Sequence, residues 1–193
     1  MSEPAQRRLV LASASPRRRE LLALLDRPFD VIVADVDEEP LPGESAADLV
    51  VRLAAAKETA VAPAATDAIV IGADTVVVVD GEILGKPRDR ADAVAMLGRL
   101  SGRTHQVLTG TAVALGERVV TEATTTDVTF APLTADGIEA YVATGEPDDK
   151  AGAYGIQGRG GALVTEIAGS YHNVVGLPVA QVAALVARVS GDV

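Results

Sequence analysis

The run Ala68 to Val79, reading Ala-Ile-Val-Ile-Gly-Ala-Asp-Thr-Val-Val-Val-Val, is the most strand-like stretch of the chain, and it limits the possible folds more than any other. So apolar a run belongs to a buried strand, yet Asp74 interrupts it. A carboxylate taken out of water there costs several kcal/mol unless it is paired, hydrogen-bonded or bound to a metal. Two readings follow. Either the strand stops at Ala73 and Asp74 opens an exposed turn, or it continues through Thr75 and Asp74 serves as a metal ligand or as a base acting on water. The β-branched and apolar residues from Thr75 to Val79 favour the second.

Around this run, strand and helix patterns alternate. Leu9 to Ser13 reads as a strand, and Ser15-Pro16 then starts a helix, since Ser is a favoured N-cap and Pro fits the first helical position. That helix extends to about Leu25, with Leu21, Leu22, Leu24 and Leu25 toward the core. Phe29 to Ala34 is a second strand, followed by an acidic loop. Ser45 caps a helix whose Leu49, Val50, Leu53 and Ala56 recur at helical spacing up to about Val61. Asp80-Gly81 turns the long strand back toward Glu82 to Leu84 as a hairpin. Arg90 to Leu100 is a helix, and His105 to Leu115 and Arg118 to Phe130 form an antiparallel hairpin through Gly116-Glu117. Thr134 caps a helix to about Thr144. Gly145 to Gly161 is a glycine-rich loop or lid, long enough to imply a function. A strand over Ala162 to Ile167, a loop from Tyr171 to Gly176 and a helix from Pro178 to Val189 finish the chain. Alternation combined with hairpins predicts an α/β fold around a mixed sheet with flanking helices. The 193 residues suit one domain, with residues 1–8 as a polar extension.

The helix after the first strand carries Arg17, Arg18 and Arg19 in its first turn, where the dipole favours negative charge and each exposed cation costs roughly 0.3–1 kcal/mol. An overall acidic chain, of formal net charge −10, thus puts its densest positive cluster at the helix end where structure alone disfavours it. Free backbone N–H groups, two serine hydroxyls and guanidinium forks converge there, which describes a phosphate site. The same net charge argues against general affinity for nucleic acid or an anionic membrane, and the absence of Trp with only two Phe removes base-stacking platforms. A small anionic ligand in a local basic pocket remains compatible. With no Cys there is no disulfide, thiolate metal site or Cys nucleophile. No apolar run approaches the ~18 residues of a membrane span, and Met1 to Arg8 lacks a signal-peptide core, so a cytoplasmic protein is expected.

Other polar residues carry less information alone. Glu38, one of four carboxylates between Asp35 and Glu39, could present a metal ligand or sit in a solvated loop. Lys57 and Lys86 could each be a phosphate contact or a surface charge. Gly81 to Lys86 falls short of a P-loop by one residue, with Pro87 where Ser or Thr should hold magnesium. His105 and His172 lack ligand-like spacing and read as structural.

Taken in order, Ser13-Ala14-Ser15-Pro16-Arg17-Arg18, Gly72-Ala73-Asp74-Thr75, Gly85-Lys86-Pro87, Gly102-Arg103-Thr104-His105-Gln106-Val107, Glu146 to Gly158, and Asn173-Val174-Val175-Gly176-Leu177-Pro178 resemble the Maf family of nucleoside triphosphate pyrophosphatases. The resemblance covers nearly the whole chain from Leu9 onward. It implies a fold similar to that of the inosine triphosphate pyrophosphatases, with two lobes around a cleft, commonly dimeric. It implies hydrolysis of nucleoside triphosphates to the monophosphate and pyrophosphate with Mg²⁺ or Mn²⁺, as a house-cleaning activity. Carried over by motif, Asp74 is the base that activates water, and Glu38 and Asp74 hold the metal. Ser13, Arg17, Arg18, Lys57 and Lys86 grip the triphosphate. Arg17, Thr75 and Gln157 resemble the branch taking dTTP and UTP, whereas the 7-methyl-GTP branch carries an aromatic residue, Gln and Glu there. Two further alternatives stand: a nucleotidyltransferase, disfavoured because the Ser13 to Pro16 loop lacks glycine, and a nucleotide-sensing regulator of septum formation, disfavoured by Asp74.

Overall fold

A computed structural model describes residues 7–191, so the polar extension lies largely outside the described residues. The elements run in chain order as β1 (Leu9–Ala12), α1 (Pro16–Ala23), β2 (Phe29–Val31), α2 (Ala46–Val61), β3 (Ile69–Val79), β4 (Glu82–Leu84), α3 (Arg90–Leu100), β5 (Thr104–Leu115), β6 (Arg118–Phe130), α4 (Ala135–Val142), β7 (Val164–Ala168), α5 (Tyr171–Val175) and α6 (Val179–Ser190). They form the expected α/β fold. Seven strands make one mixed sheet in the order β2-β1-β3-β5-β6-β7, with β4 paired to β3. β1 pairs in parallel with both β2 and β3, while β4 on β3 and β7 on β6 are antiparallel. The parallel pairs take helical crossovers, α1 and α2, as parallel strands must. β5 and β6 are joined by only Gly116 and Glu117, and so short a connection permits only the antiparallel hairpin expected.

The chain gathers into two compact units, and β3, β5 and β6 each pass from one to the other. The first comprises the chain up to Asp74, Thr109–Thr124 and the chain from Gly176; the second comprises Thr75–Leu108 and Thr125–Val175.

In the first unit, Val10, Ala12, Val61, Ala65, Ala68 and Val70 pack together, with Ile32 and Ala34 against them. Ser45 caps α2 as expected, accepting from Asp48 N–H at 3.1 Å. The helix then lies so close to the sheet that a Cβ on Gly72 would overlap the Ala54 carbonyl oxygen, and one on Gly110 the Val50 carbonyl. Two strand positions without side chains therefore set the depth at which α2 rests, since overpacking at such contacts costs about 1–3 kcal/mol. Across the two units three features differ from expectation. β2 ends at Val31, because its partner β1 offers only Leu9 to Leu11 in register. Leu24 is 60 % exposed, since α1 ends at Ala23 and only Leu21 and Leu22 reach the core. Tyr171–Val175, read as a loop, is a short helix.

In the second unit, α3 and α4 pack on the sheet through Ala93, Leu97, Leu100, Ile138, Tyr141 and Val142. Buried among them, His105, Phe130 and Tyr154 meet edge to face with centroids 4.8–5.4 Å apart. His105 Nε2 shares a hydrogen bond with the Tyr154 hydroxyl at 2.9 Å, while its Nδ1 is buried without a partner. The glycine-rich segment is built of three 3₁₀ turns at Glu146–Asp149, Ala151–Ala153 and Arg159–Leu163. Among the described residues no helix is long and apolar enough to cross a membrane.

Burial lowers the His105 pKa from about 6.5 to about 4. As pH falls from 6.5 to 4 the unfolded chain takes up a proton that the folded chain refuses. The folded state should therefore lose roughly 3 kcal/mol over that window and no more below it. Urea denaturation at stepped pH checks this. The wild type should lose stability between pH 6.5 and 4, and His105→Gln, which keeps a hydrogen-bonding group facing Tyr154, should lose less.

Candidate active site

Asp74 lies within β3, and the strand continues through Thr75 to Val79, so the exposed-turn reading fails. The residue is 8 % exposed. Its partner is Lys57 of α2, whose Nζ stands 2.7 Å from Asp74 Oδ1 and 2.6 Å from Glu38 Oε1. Geometry explains why these residues meet. Gly72 and Asp74 are two apart and share one face of the strand, while Ala54 and Lys57 share one face of the helix. Ala54 rests on Gly72, and advancing two residues along the strand (about 6.6 Å) and three along the helix (about 4.5 Å) brings Lys57 to Asp74. The glycine contact thus sets the ion pair.

Glu38 comes from the acidic loop between β2 and α2, and its side chain is half exposed. Arg52, five residues before Lys57 on α2, clasps this loop. Its guanidinium holds both oxygens of Glu44, at 2.6 and 2.8 Å, and donates to the Glu39 carbonyl at 3.1 Å. The Arg52 bond and the Leu41 N–H together hold the Glu44 carboxyl down to about 2. No sequence signal singled out this clasp, because Arg and Glu eight positions apart across a loop have no periodic relation.

The Ser13 to Arg18 turn folds as its residues dictate. Ser15 is the N-cap of α1, its hydroxyl accepting from Arg18 N–H at 3.4 Å, with Pro16 at the first helical position. Ser13, buried, accepts from Ser15 N–H at 3.2 Å and from Arg18 Nη1 at 3.3 Å. Arg18 Nε donates to the Gly176 carbonyl at 2.8 Å. That contact gives the Asn173 to Pro178 motif a structural meaning invisible in the sequence. Desolvation pulls the Arg18 pKa down, the Asp74 charge opposes it, Arg17 adds repulsion, and Glu38 again opposes it. Arg18 therefore feels both carboxylates, which brings the helix N-terminus and the ion-pair cluster into one site. Arg17 is half-buried on the same turn.

The remaining expected residues belong to the second unit. Thr75 follows Asp74 in β3 and is half-buried, while Lys86 and Gln157 are exposed. Their two loops are tied together, for Gly152 N–H donates to the Gly85 carbonyl at 3.0 Å.

Among the described residues no three His, Cys, Asp or Glu side chains gather as a metal-binding group. Glu38 and Asp74 do converge, and a cation, the Lys57 ammonium, stands where they meet. Two hard oxygen donors with an open remainder fit Mg²⁺ or Mn²⁺, which bind through one or two carboxylates plus phosphate oxygens and water.

By fold, the chain is an α/β protein of the Ham1 architecture. It superposes on the Ham1 protein of Staphylococcus aureus over 96 % of its length and all of that chain, with TM-score 0.52 and 18 % identity. The HAM1 protein of Coxiella burnetii matches over 95 % of this chain and all of that one, with TM-score 0.53 and 14 % identity. The chain belongs to the Maf family: the family model described as Maf-like protein matches residues 8–189. A relative from Symbiobacterium thermophilum named dTTP/UTP pyrophosphatase is 59 % identical over 170 residues, 88 % of each chain. One of the same name from Moorella thermoacetica is 58 % identical over 189 residues, 96 % of this chain and 97 % of its own. Another, from Geobacter metallireducens, is 55 % identical over 93 % and 94 %.

Removing Lys57 leaves the buried Asp74 carboxylate without its cation. Lys57→Met should cost about 3 kcal/mol or more in urea unfolding without divalent metal. Millimolar Mn²⁺ should restore more stability to this variant than to the wild type, since the carboxylates then take the metal without displacing an ammonium.

Proposed function

We propose that the protein hydrolyses dTTP and UTP, including modified forms, to the monophosphate and pyrophosphate by attack of water on the α-phosphorus. The observation that carries this reading is the cluster of Lys57, Glu38 and Asp74 beside the arginine-bearing N-terminus of α1. A pocket that only binds phosphate gains nothing from a buried carboxylate next to its anion unless a cation or a water is to be managed. The relatives named dTTP/UTP pyrophosphatase support the substrate.

In this reading Asp74 accepts the proton of the attacking water, and its fixed place on a central strand limits its motion. Ser13, Arg17, Arg18, Lys57 and Lys86 bind the triphosphate oxygens and stabilise the charge that grows on the departing pyrophosphate. Glu38 and Asp74 would hold the divalent metal, Mg²⁺ or Mn²⁺. Bound there, it supplies positive charge to the phosphate oxygens. Arg17, Thr75 and Gln157 set base preference. The amide of Gln157 offers one donor and one acceptor, complementary to the N–H and C=O edge that uracil and thymine share. The same reading places the protein in the cytoplasm as a homodimer with a small nucleotide substrate.

Pyrophosphate release from dTTP, UTP, CTP, GTP, ATP and 7-methyl-GTP with Mg²⁺ or Mn²⁺ tests this directly. Release should be greatest with dTTP and UTP and fall by about 10²-fold or more in Asp74→Asn, which keeps the shape and removes the base. Nucleotide binding without release in the wild type would replace hydrolysis by sensing. Gln157→Glu should reduce turnover of dTTP and UTP more than that of GTP, and an unchanged profile would remove Gln157 from base recognition.

A further inference from the structure

One carboxylate ties together the irregular segment between α4 and β7. Glu146 Oε1 accepts from the Tyr141 hydroxyl and from Gly160 N–H, each at 2.9 Å, and Oε2 accepts from Arg159 N–H at 2.9 Å. The Tyr141 hydroxyl in turn accepts from Gly155 N–H at 3.1 Å. Lys150 Nζ adds a bond to the Glu146 carbonyl at 2.7 Å. The amides held this way, at 155, 159 and 160, bracket Gln157 on both sides. Gly158 presses against the carboxylate so closely that a Cβ there would overlap both oxygens. Burial pushes the Glu146 carboxyl up, but the Gly160 and Arg159 N–H groups, the Tyr141 hydroxyl and Lys150 outweigh it and hold the group below its ordinary range. An ionised carboxylate accepts at both oxygens and donates at neither, so it matches three converging donors as no neutral side chain of that size does.

We propose that Glu146 is a positioning residue for base recognition, fixing residues 155–160 so that Gln157 meets the base in one orientation. This rests on the function proposed above and deepens it. Gln157 is exposed, so its direction depends on the backbone that carries it. Of the residues flanking it, Gly155, Arg159 and Gly160 are hydrogen-bonded through their amides to Glu146 or to the hydroxyl that Glu146 holds. The carboxylate acts through these amides and not by contact with the base.

Glu146→Gln keeps the volume but turns one acceptor into an amide donor facing an N–H. Tyr141→Phe removes a single hydroxyl and leaves the apolar contacts of the ring, so it remains informative where the first variant folds poorly. Amide hydrogen exchange over residues 155–160 is measured alongside kcat and KM for dTTP, UTP and GTP, and alongside inhibition by inorganic tripolyphosphate, which has no base. Exchange at Gly155, Arg159 and Gly160 should accelerate in both variants. In Glu146→Gln the kcat/KM ratio of dTTP to GTP should fall by about tenfold, mainly through KM, with tripolyphosphate inhibition unchanged; Tyr141→Phe should show a smaller fall. Unaltered discrimination despite faster exchange would overturn the proposal. So would unaltered exchange, or an equal loss for dTTP, GTP and tripolyphosphate, which marks general structural damage. If the wild type prefers a base other than uracil or thymine, the pyrimidine reading fails, and the change in whichever preference it shows still decides the role of Glu146.

Discussion

A carboxylate in the middle of a buried strand must meet a cation, and much of the first unit is arranged to provide one. Asp74 lies on β3 with 8 % of its surface exposed, and Lys57 answers it from α2. For a lysine on that helix to reach the strand, the helix must sit low, and Gly72 and Gly110 remove the side chains that would hold it off. Glu38 then joins through a loop held by Arg52 to the same helix. Ser13 and Arg18 reach the cluster from the turn after β1, the strand hydrogen-bonded beside β3. One electrostatic requirement thus accounts for a helix depth, a loop anchor and the placing of a helix N-terminus.

The second unit solves a different problem, the ordering of an irregular glycine-rich segment, and uses neutral donors around one anion. Glu146 gathers a hydroxyl and two backbone N–H groups. Tyr154 fastens the same segment to the sheet through His105 and Phe130. The contrast is physical. Asp74 is balanced by a side-chain ammonium at the end of a flexible stem, whereas Glu146 is balanced by a hydroxyl and by backbone donors that cannot leave without unfolding the segment. The first arrangement suits a place where charge must be exchanged, the second a place where geometry must be kept.

How much of this was legible beforehand depends on the range of each interaction. The caps at Ser15, Ser45 and Thr134, the hairpin at Asp80-Gly81 and the apolar runs act within a few residues, and they appear in the structure as expected. β2 and α1 are shorter than their sequence patterns, since a strand lasts only as long as its partner and a leucine pattern does not say where the core ends. The short helix at Tyr171–Val175 is not legible in the sequence, because five residues carry no measurable period. Among site residues, Asp74 stood out as a charge in an apolar run. Glu38 and Lys57 resemble ordinary surface charges in the sequence, whereas the structure puts the Lys57 ammonium 2.6 Å from Glu38 and 2.7 Å from Asp74. The Arg52 clasp gave no sign in the sequence, and although Gly176 and Glu146 lie in motifs the sequence displays, their partners Arg18, Tyr141 and Gly160 are not legible there.

The sequence by itself determined the alternation of strands and helices, the serine-capped, arginine-bearing start of the helix after Ser15 and the anomaly at Asp74. These follow from periodicity, capping and the cost of burying charge, all of which are local. Only the tertiary structure decided that Lys57, seventeen residues from Asp74, is its counter-ion, and that the Glu146 carboxylate, with the Tyr141 hydroxyl it holds, gathers the amides on either side of Gln157. Such partnerships depend on the depth and register with which a helix or loop meets a strand. Those are set by side chains absent at Gly72 and Gly158 as much as by the charges that meet there.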